Sequence, residues 1–144
     1  MSEEIKRSLK FCLFECSAGI IQFTSFAVLE ALTAWSYWPC YLIALVLSVM
    51  WSFTFNRRYT FRSVANVPVA MAKVGLFYAM FTPVSTVAGS FFADGLGVNG
   101  YLVTVVSMLA NFALEYLWDR YLVFGSTMDT NAVAARARVR FQGR

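Results

Sequence analysis

Ser52-Phe53-Thr54-Phe55-Asn56-Arg57-Arg58-Tyr59-Thr60-Phe61 ends a long apolar run with two arginines set among aromatics. The stretch has a second copy. A shift of 63 residues lays Phe53 to Phe61 over Tyr116-Leu117-Trp118-Asp119-Arg120-Tyr121-Leu122-Val123-Phe124. The same shift lays Lys10-Phe11-Cys12-Leu13-Phe14 over Lys73-Val74-Gly75-Leu76-Phe77. Two matches at one offset, at the two ends of a unit, predict a duplicated two-helix hairpin.

Working outward, the runs between these matches are membrane-like. Of 144 residues, 59% are hydrophobic and 14% charged, against roughly 45–50% apolar and about 25% charged in soluble domains. The expectation is an all-α integral membrane protein of one domain. Its four transmembrane helices, at about 11–32, 39–55, 74–93 and 101–118, approach or meet the roughly 17–25 residues needed to cross a bilayer. They divide the chain into an N-terminal segment (1–10), a first hairpin repeat (11–61), a connector (62–73), a second hairpin repeat (74–124) and a basic tail (125–144). Pro39 suits the first turn of its helix, and Pro83 is expected to kink the third span.

The basic residues are Lys6, Arg7, Lys10, Arg57, Arg58, Arg62, Lys73, Arg120, Arg136, Arg138, Arg140 and Arg144. All fall in the N-terminal segment, around the middle connector, or at and beyond the end of the fourth span. The turns at 33–38 and 94–100 contain none. The positive-inside rule therefore places both termini and the connector in the cytoplasm. Trp35, Tyr37, Trp38 and Tyr101 then mark the outer interface. Tyr59, Phe61, Trp118, Tyr121 and Phe124 belong to the inner one. Two spans per repeat give the hairpins one orientation, so they are expected to be parallel repeats about an axis along the membrane normal.

Polar residues run along the spans in stripes. Thr104, Ser107, Asn111, Glu115 and Asp119 follow at steps of three or four on one helical face. Ser48, Ser52 and Asn56 do the same and map onto Asn111, Glu115 and Asp119 under the shift. The first span offers Glu15, Gly19, Gln22 and Glu30, and the third Thr82, Ser85, Thr86 and Ser90. A carboxylate at mid-bilayer costs about 2.5–3.5 kcal/mol on insertion scales, so these faces should turn inward. The serines and threonines read first as interhelical hydrogen bonds. For Glu15, Asn111 and Glu115 a functional and a packing role stand level. Glu15, Gln22, Ser52, Asn56, Asn111, Glu115 and Asp119 make up the expected polar translocation face.

Lys10 and Lys73 are equivalent and stand at the starts of spans, where the helix dipole already favours an anion. Arg57 and Arg120 are equivalent at span ends. With Arg58 these five form the expected phosphate-binding set, since arginine holds phosphate through paired hydrogen bonds. Arg7 and Arg62 read as topology determinants. The tail reads either as a segment resting on anionic lipid, at about 1 kcal/mol per basic residue, or as a solvated disordered end.

No histidine is present, which removes imidazole as base or ligand. Cys12, Cys16 and Cys40 read as small packing residues. With no nucleophile–base pair and no metal cluster, no catalytic residue, metal site, cofactor or enzymatic activity is expected.

These residues resemble the GtrA-like family of small four-span bacterial membrane proteins. The resemblance rests on Lys10-Phe11 leading into a span with Ala18-Gly19, on Asn56-Arg57-Arg58-Tyr59-Thr60-Phe61 closing the first hairpin, and on Asn111-Phe112 with Arg120 and Phe124 in the second. It covers about residues 10–124. Glu15 departs from the small residue expected there, Tyr59 stands for a more usual Trp, and Leu122 replaces an aromatic. The resemblance implies translocation of a polyprenyl-phosphate-linked sugar across the bacterial cytoplasmic membrane, for glycosylation of cell-surface polysaccharide. Its implied partners are that lipid and the surrounding membrane lipids, with a glycosyltransferase and a second copy of the chain as further candidates and no nucleic acid. Two alternatives stay open: a non-transporting adaptor that recruits a glycosyltransferase, and a small proton-coupled exporter built on Glu15. The one-sided charge distribution argues against an exporter whose copies insert in opposite directions.

Overall fold

In the computed structural model the chain folds into five α-helices, and residues 1–143 are described, with the side chain of Trp38 excepted. Arg144 and the Trp38 ring, both named above, lie outside the described residues. The helices are α1 (Glu3–Leu32), α2 (Tyr37–Phe55), α3 (Val67–Ser90), α4 (Gly100–Trp118) and α5 (Ala132–Gln142). No strand occurs among the described residues. Four helical stretches, Glu3–Leu32, Pro39–Thr60, Val67–Gly95 and Gly100–Val123, are long and apolar enough to cross a membrane. The chain is a multi-pass, all-helical membrane protein.

Side-chain caps start most of these helices. Ser2 accepts from the Ile5 N–H at 3.3 Å, with Glu3 and Glu4 in the first turn where the helix dipole favours acids. Asn66 accepts from Val69 N–H at 3.3 Å, Asn99 from Tyr101 N–H at 2.9 Å, and Asn131 from Val133 N–H at 3.0 Å. These caps correct one expectation. Because α1 starts at Glu3 and α3 at Val67, Lys10 and Lys73 are the eighth and seventh residues of their helices. Only the first four N–H groups of a helix are unsatisfied, so neither lysine stands at an anion-seeking helix start.

The 63-residue repeat is written into the element boundaries. Tyr37–Phe55 and Gly100–Trp118 correspond at both ends, and each helix runs into a wide π-type turn, Asn56–Thr60 and Asp119–Val123. The two turns close in the same way. Phe61 N–H reaches the Asn56 carbonyl at 2.9 Å, and Phe124 N–H reaches that of Asp119 at 2.9 Å. Both phenylalanines are fully buried. Gly125 follows the second turn because a Cβ there would collide with the Tyr121 carbonyl.

The chain forms two compact units, Met1–Val64 with Met128–Arg144, and Ala65–Thr127. In the first, α1 lies along α2. Phe11 and Ala18 on α1 and Cys40, Ala44, Ser48 and Phe53 on α2 are buried. Phe14 stacks near Phe55 at 5.4 Å, Phe11 meets Phe61 edge-on at 6.3 Å, and the Trp51 indole donates to Ser17 Oγ at 2.9 Å. Cys40 packs as expected, but Cys12 and Cys16 are exposed. They occupy the face of α1 turned away from this seam.

From Met128 onward the tail belongs to the same unit and folds back on it. The Arg62 carbonyl accepts from Thr130 N–H at 2.9 Å and Asn131 N–H at 3.0 Å, and the Phe61 carbonyl accepts from Asp129 N–H at 3.0 Å. The Asn131 amide donates to the Arg58 carbonyl at 2.9 Å. Arg62 takes a left-handed backbone, φ 51°, which costs a non-glycine residue about 1–2 kcal/mol and aims that carbonyl at the tail. Arg7, whose side chain is largely buried, donates to Asp129 Oδ2. The Arg62 guanidinium lies 3.8 Å from Asp129 Oδ1.

In the second unit α3 packs on α4 at the basic end. Phe77 lies 5.9 Å from Trp118, and the Trp118 indole donates to the Lys73 carbonyl at 2.9 Å. α3 continues helical through Pro83 to Ser90, although Pro83 has no N–H for the Ala79 carbonyl. Beyond that level an apolar cavity of about 360 Å³ opens between α3 and α4.

Candidate functional site

Each hairpin holds a carboxylate among neutral donors at its interior. In the first, Glu15 Oε1 accepts from the Ser52 hydroxyl and from the Asn56 amide at 2.8 Å. Asn56 is itself fixed. Its amide also reaches Ser52 Oγ at 3.3 Å, and its carbonyl accepts from the Thr60 hydroxyl at 2.8 Å. The Asn-Arg-x-aromatic-x-Phe ending thus has a local physical meaning. Its Asn bridges the π-turn to Glu15, and its final Phe packs under Phe11. The steps of four along α2 bring Ser52 and Asn56 onto one side of the helix, facing α1.

In the second hairpin Tyr78 donates to Glu115 Oε1 at 2.7 Å, and the Asn111 amide reaches Glu115 Oε2 at 3.3 Å. Glu115 is 4% exposed, and Asp119 is also buried. Tyr78 is absent from the polar face read off the sequence, because tyrosine scores as an interfacial aromatic. The repeat carries the signal that finds it, since Glu15 maps onto Tyr78 under the shift of 63.

The remaining polar residues divide cleanly. Ser85 and Thr86 bond back to the Thr82 carbonyl at 3.1 and 2.7 Å, and Thr104 to that of Gly100 at 2.9 Å. These hydroxyls satisfy themselves on their own helices. Gln22 lies apart from Glu15, about 10 Å further along α1 at about 1.5 Å per residue. It lines a small cavity of about 230 Å³ with Gly19, Phe26 and Tyr41. Glu30 is exposed.

The five expected phosphate ligands are described unit by unit. In the first, Lys10 and Arg57 are half-buried and Arg58 is exposed, its guanidinium 5.4 Å from the Tyr59 ring centre. In the second, the Lys73 ammonium donates to the Leu122 carbonyl at 3.0 Å, and Arg120 sits 5.2 Å from the Tyr121 ring centre. Arg7 and Arg62 differ from these, because both turn to Asp129 and tie down the tail. Among the described residues no group of three or more His, Cys, Asp or Glu could hold a metal ion.

Each hairpin thus carries cations and aromatics at its basic end and a hydrogen-bonded carboxylate further along its helices. No curated protein and no solved structure matches the chain. A family profile described as GtrA/DPMS, transmembrane domain, matches residues 10–140. That span takes in both hairpins, both π-turns and most of the tail helix. The chain belongs to the GtrA/DPMS transmembrane-domain family.

Proposed function

We propose that this protein carries a polyprenyl-phosphate-linked sugar across the cytoplasmic membrane of a bacterium, supplying a donor for glycosylation at the cell surface. Both termini and the 62–66 connection face the cytoplasm in this reading. The observation that supports it is that each hairpin carries both a cation-bearing aromatic turn and an interior carboxylate held by neutral donors. The cations of each hairpin, Lys10, Arg57 and Arg58 in the first and Lys73 and Arg120 in the second, are the candidates to receive the phosphate. The sugar hydroxyls exchange hydrogen bonds along Glu15, Ser52, Asn56, Asn111 and Glu115. No bond is made or broken, so the protein acts as a transporter and not an enzyme.

Transport of a fluorescent polyprenyl-phosphoryl sugar in proteoliposomes tests this. Wild type is compared with Arg57→Ala and Arg120→Ala, after each is shown to insert and fold. Accelerated transfer to the opposite leaflet, lost in both variants, supports the proposal. No acceleration by folded wild type with several sugars refutes it. The adaptor reading draws on α5, where Phe141 is 80% and Val139 70% exposed. It predicts co-purification with a glycosyltransferase that Phe141→Ala weakens.

A further inference from the structure

The two hairpins differ in how far they close. In the first, Ala18 on α1 is 2% exposed, and on α2 Cys40 and Ala44 are 1% and 0% exposed. Small side chains let these helices approach. The shift of 63 replaces Ala18 with Phe81, Cys40 with Val103 and Ala44 with Ser107. In the second hairpin Phe81, Val103 and Ser107 are all half-buried and line the cavity between α3 and α4.

A second apolar cavity of about 560 Å³, lined by Phe77, Leu114, Trp118 and Leu122 among others, shares Phe81 and Val84 with the first. Through these shared residues the two cavities follow one another, as a groove, from Phe77 on α3 to Phe92 just past its end. Fifteen steps of about 1.5 Å make it about 22 Å long, most of the roughly 30 Å hydrocarbon thickness. Its basic end has a cation at the mouth. Lys73 stands one turn before Phe77 and donates to the carbonyl of Leu122, a lining residue. An ammonium has three N–H donors, so two remain for a ligand.

We propose that this groove holds the prenyl chain of the lipid-linked sugar, with the phosphate against Lys73. The inference rests on the transport reading above and locates the lipid on the second hairpin. The occupant follows from three features. A slot between two helices takes one chain, which suits a prenyl phosphate better than a two-chain phospholipid. The lining is apolar apart from Ser85, Ser107 and the polar edges of Trp118 and Tyr121. The single ammonium at the mouth complements a phosphate. The first hairpin is closed at Ala18 and Ala44, and its cavity beside Gln22 and Tyr41 is the smaller, at about 230 Å³.

The test is photo-crosslinking of the full-length protein in phosphatidylcholine nanodiscs with a diazirine-bearing prenyl phosphate, read by peptide mass spectrometry. The expected adducts fall on α3 between Phe77 and Phe92 and on α4 between Val103 and Leu117. Unlabelled prenyl phosphate competes, and phosphatidylglycerol at the same concentration does not. Ala88→Phe on α3 and Ser107→Phe on α4 fill the groove and each lower adduct yield at least five-fold. Val28→Phe, on the exposed face of α1, leaves the yield unchanged. Lys73→Gln weakens labelling by the phosphate probe but not by the corresponding prenyl alcohol. Adducts concentrated on α1 and α2, or equal competition by phosphatidylglycerol, overturn the proposal. Groove labelling without sugar transport leaves this site standing and removes the transport reading. Transport without groove labelling does the reverse.

Discussion

Tyr78 donates its phenolic hydrogen to Glu115 at 2.7 Å, and each is the repeat mate of one member of another pair, Glu15 and Ser52. The first hairpin carries its carboxylate on α1 and its hydroxyl on α2. The second carries its hydroxyl on α3 and its carboxylate on α4. The pairing is kept between the two hairpins while the acid changes helix, which is what a requirement for one carboxylate at this pair of positions produces. Two acids at one pair would repel, and none would leave a lone interior hydroxyl pair. The exchange Tyr78→Glu with Glu115→Ser rebuilds the first hairpin's arrangement in the second. Tyr78→Glu alone should be the most destabilising of the three variants. The double variant should regain about 1 kcal/mol or more over the sum of the singles, within the range found for neighbouring residues. Thermal unfolding in detergent, followed by tryptophan fluorescence, checks this, and additive effects would show that the pairs are not equivalent.

Asn56 joins three partners at once, Glu15, Ser52 and Thr60. Asn56→Ala leaves Glu15 with one donor fewer and Thr60 without its acceptor, so a loss of about 1–3 kcal/mol is expected. Asn56→Asp copies the residue at the equivalent position, Asp119. It is nonetheless expected to cost more than Asn56→Ala, because it sets a second carboxylate where the amide now lies 2.8 Å from Glu15. The order of melting temperatures, wild type above Ala above Asp, is the readout.

How much of this was legible in the sequence depends on what kind of signal each feature leaves. The offset of 63 residues matches α2 to α4 and one π-turn to the other, because a duplicated hairpin repeats polar and aromatic positions as well as hydrophobicity. Steps of four brought out Ser52, Asn56, Asn111 and Glu115. The start of α1 was not legible from hydropathy, since a capped helix continues through polar residues that cannot enter lipid. Arg7 and Arg62 read as topology determinants because their shared partner, Asp129, is more than 60 residues from either. The docked tail was hidden for the same reason. Its docking runs largely through backbone groups of Phe61 and Arg62, which a side-chain pattern does not record.

That docking gives Asp129 a measurable role. Asp129→Ala removes the carboxylate that Arg7 and Arg62 face, while the backbone hydrogen bonds from 129–131 to Phe61 and Arg62 remain possible. A charge-assisted bond of this kind is worth about 1.5–3 kcal/mol, so local opening of the tail should become roughly 10- to 100-fold more frequent. Hydrogen exchange at the amides of α5 should accelerate accordingly, with little change at α3 and α4, which lie in the other unit. Arg7→Ala should give a similar result. Unchanged exchange in both variants would mean that the backbone contacts alone hold the tail.

Ala18 and Phe81 occupy one repeat position and set opposite degrees of closure, so exchanging them separates size from sequence context. Ala18→Phe puts a ring into a seam where Ala18 and Ala44 are almost wholly buried. Overpacking of this kind costs about 1–3 kcal/mol, and here it should part α1 from α2 and stretch the Glu15 bonds to Ser52 and Asn56, less than one turn away. Phe81→Ala removes the ring common to both parts of the groove and its 5.5 Å stack on Phe77. In lipid the freed space is filled either by α3 moving toward α4 or by a lipid chain. The first course buries helix against helix and should make the second hairpin resemble the first. Spin-label distances between positions 85 and 107 distinguish the two. Shortening by several ångströms in Phe81→Ala, with lengthening between positions 22 and 44 in Ala18→Phe, is the expected result. No change at either pair would mean that the turns, and not the seam residues, set the spacing of the helices.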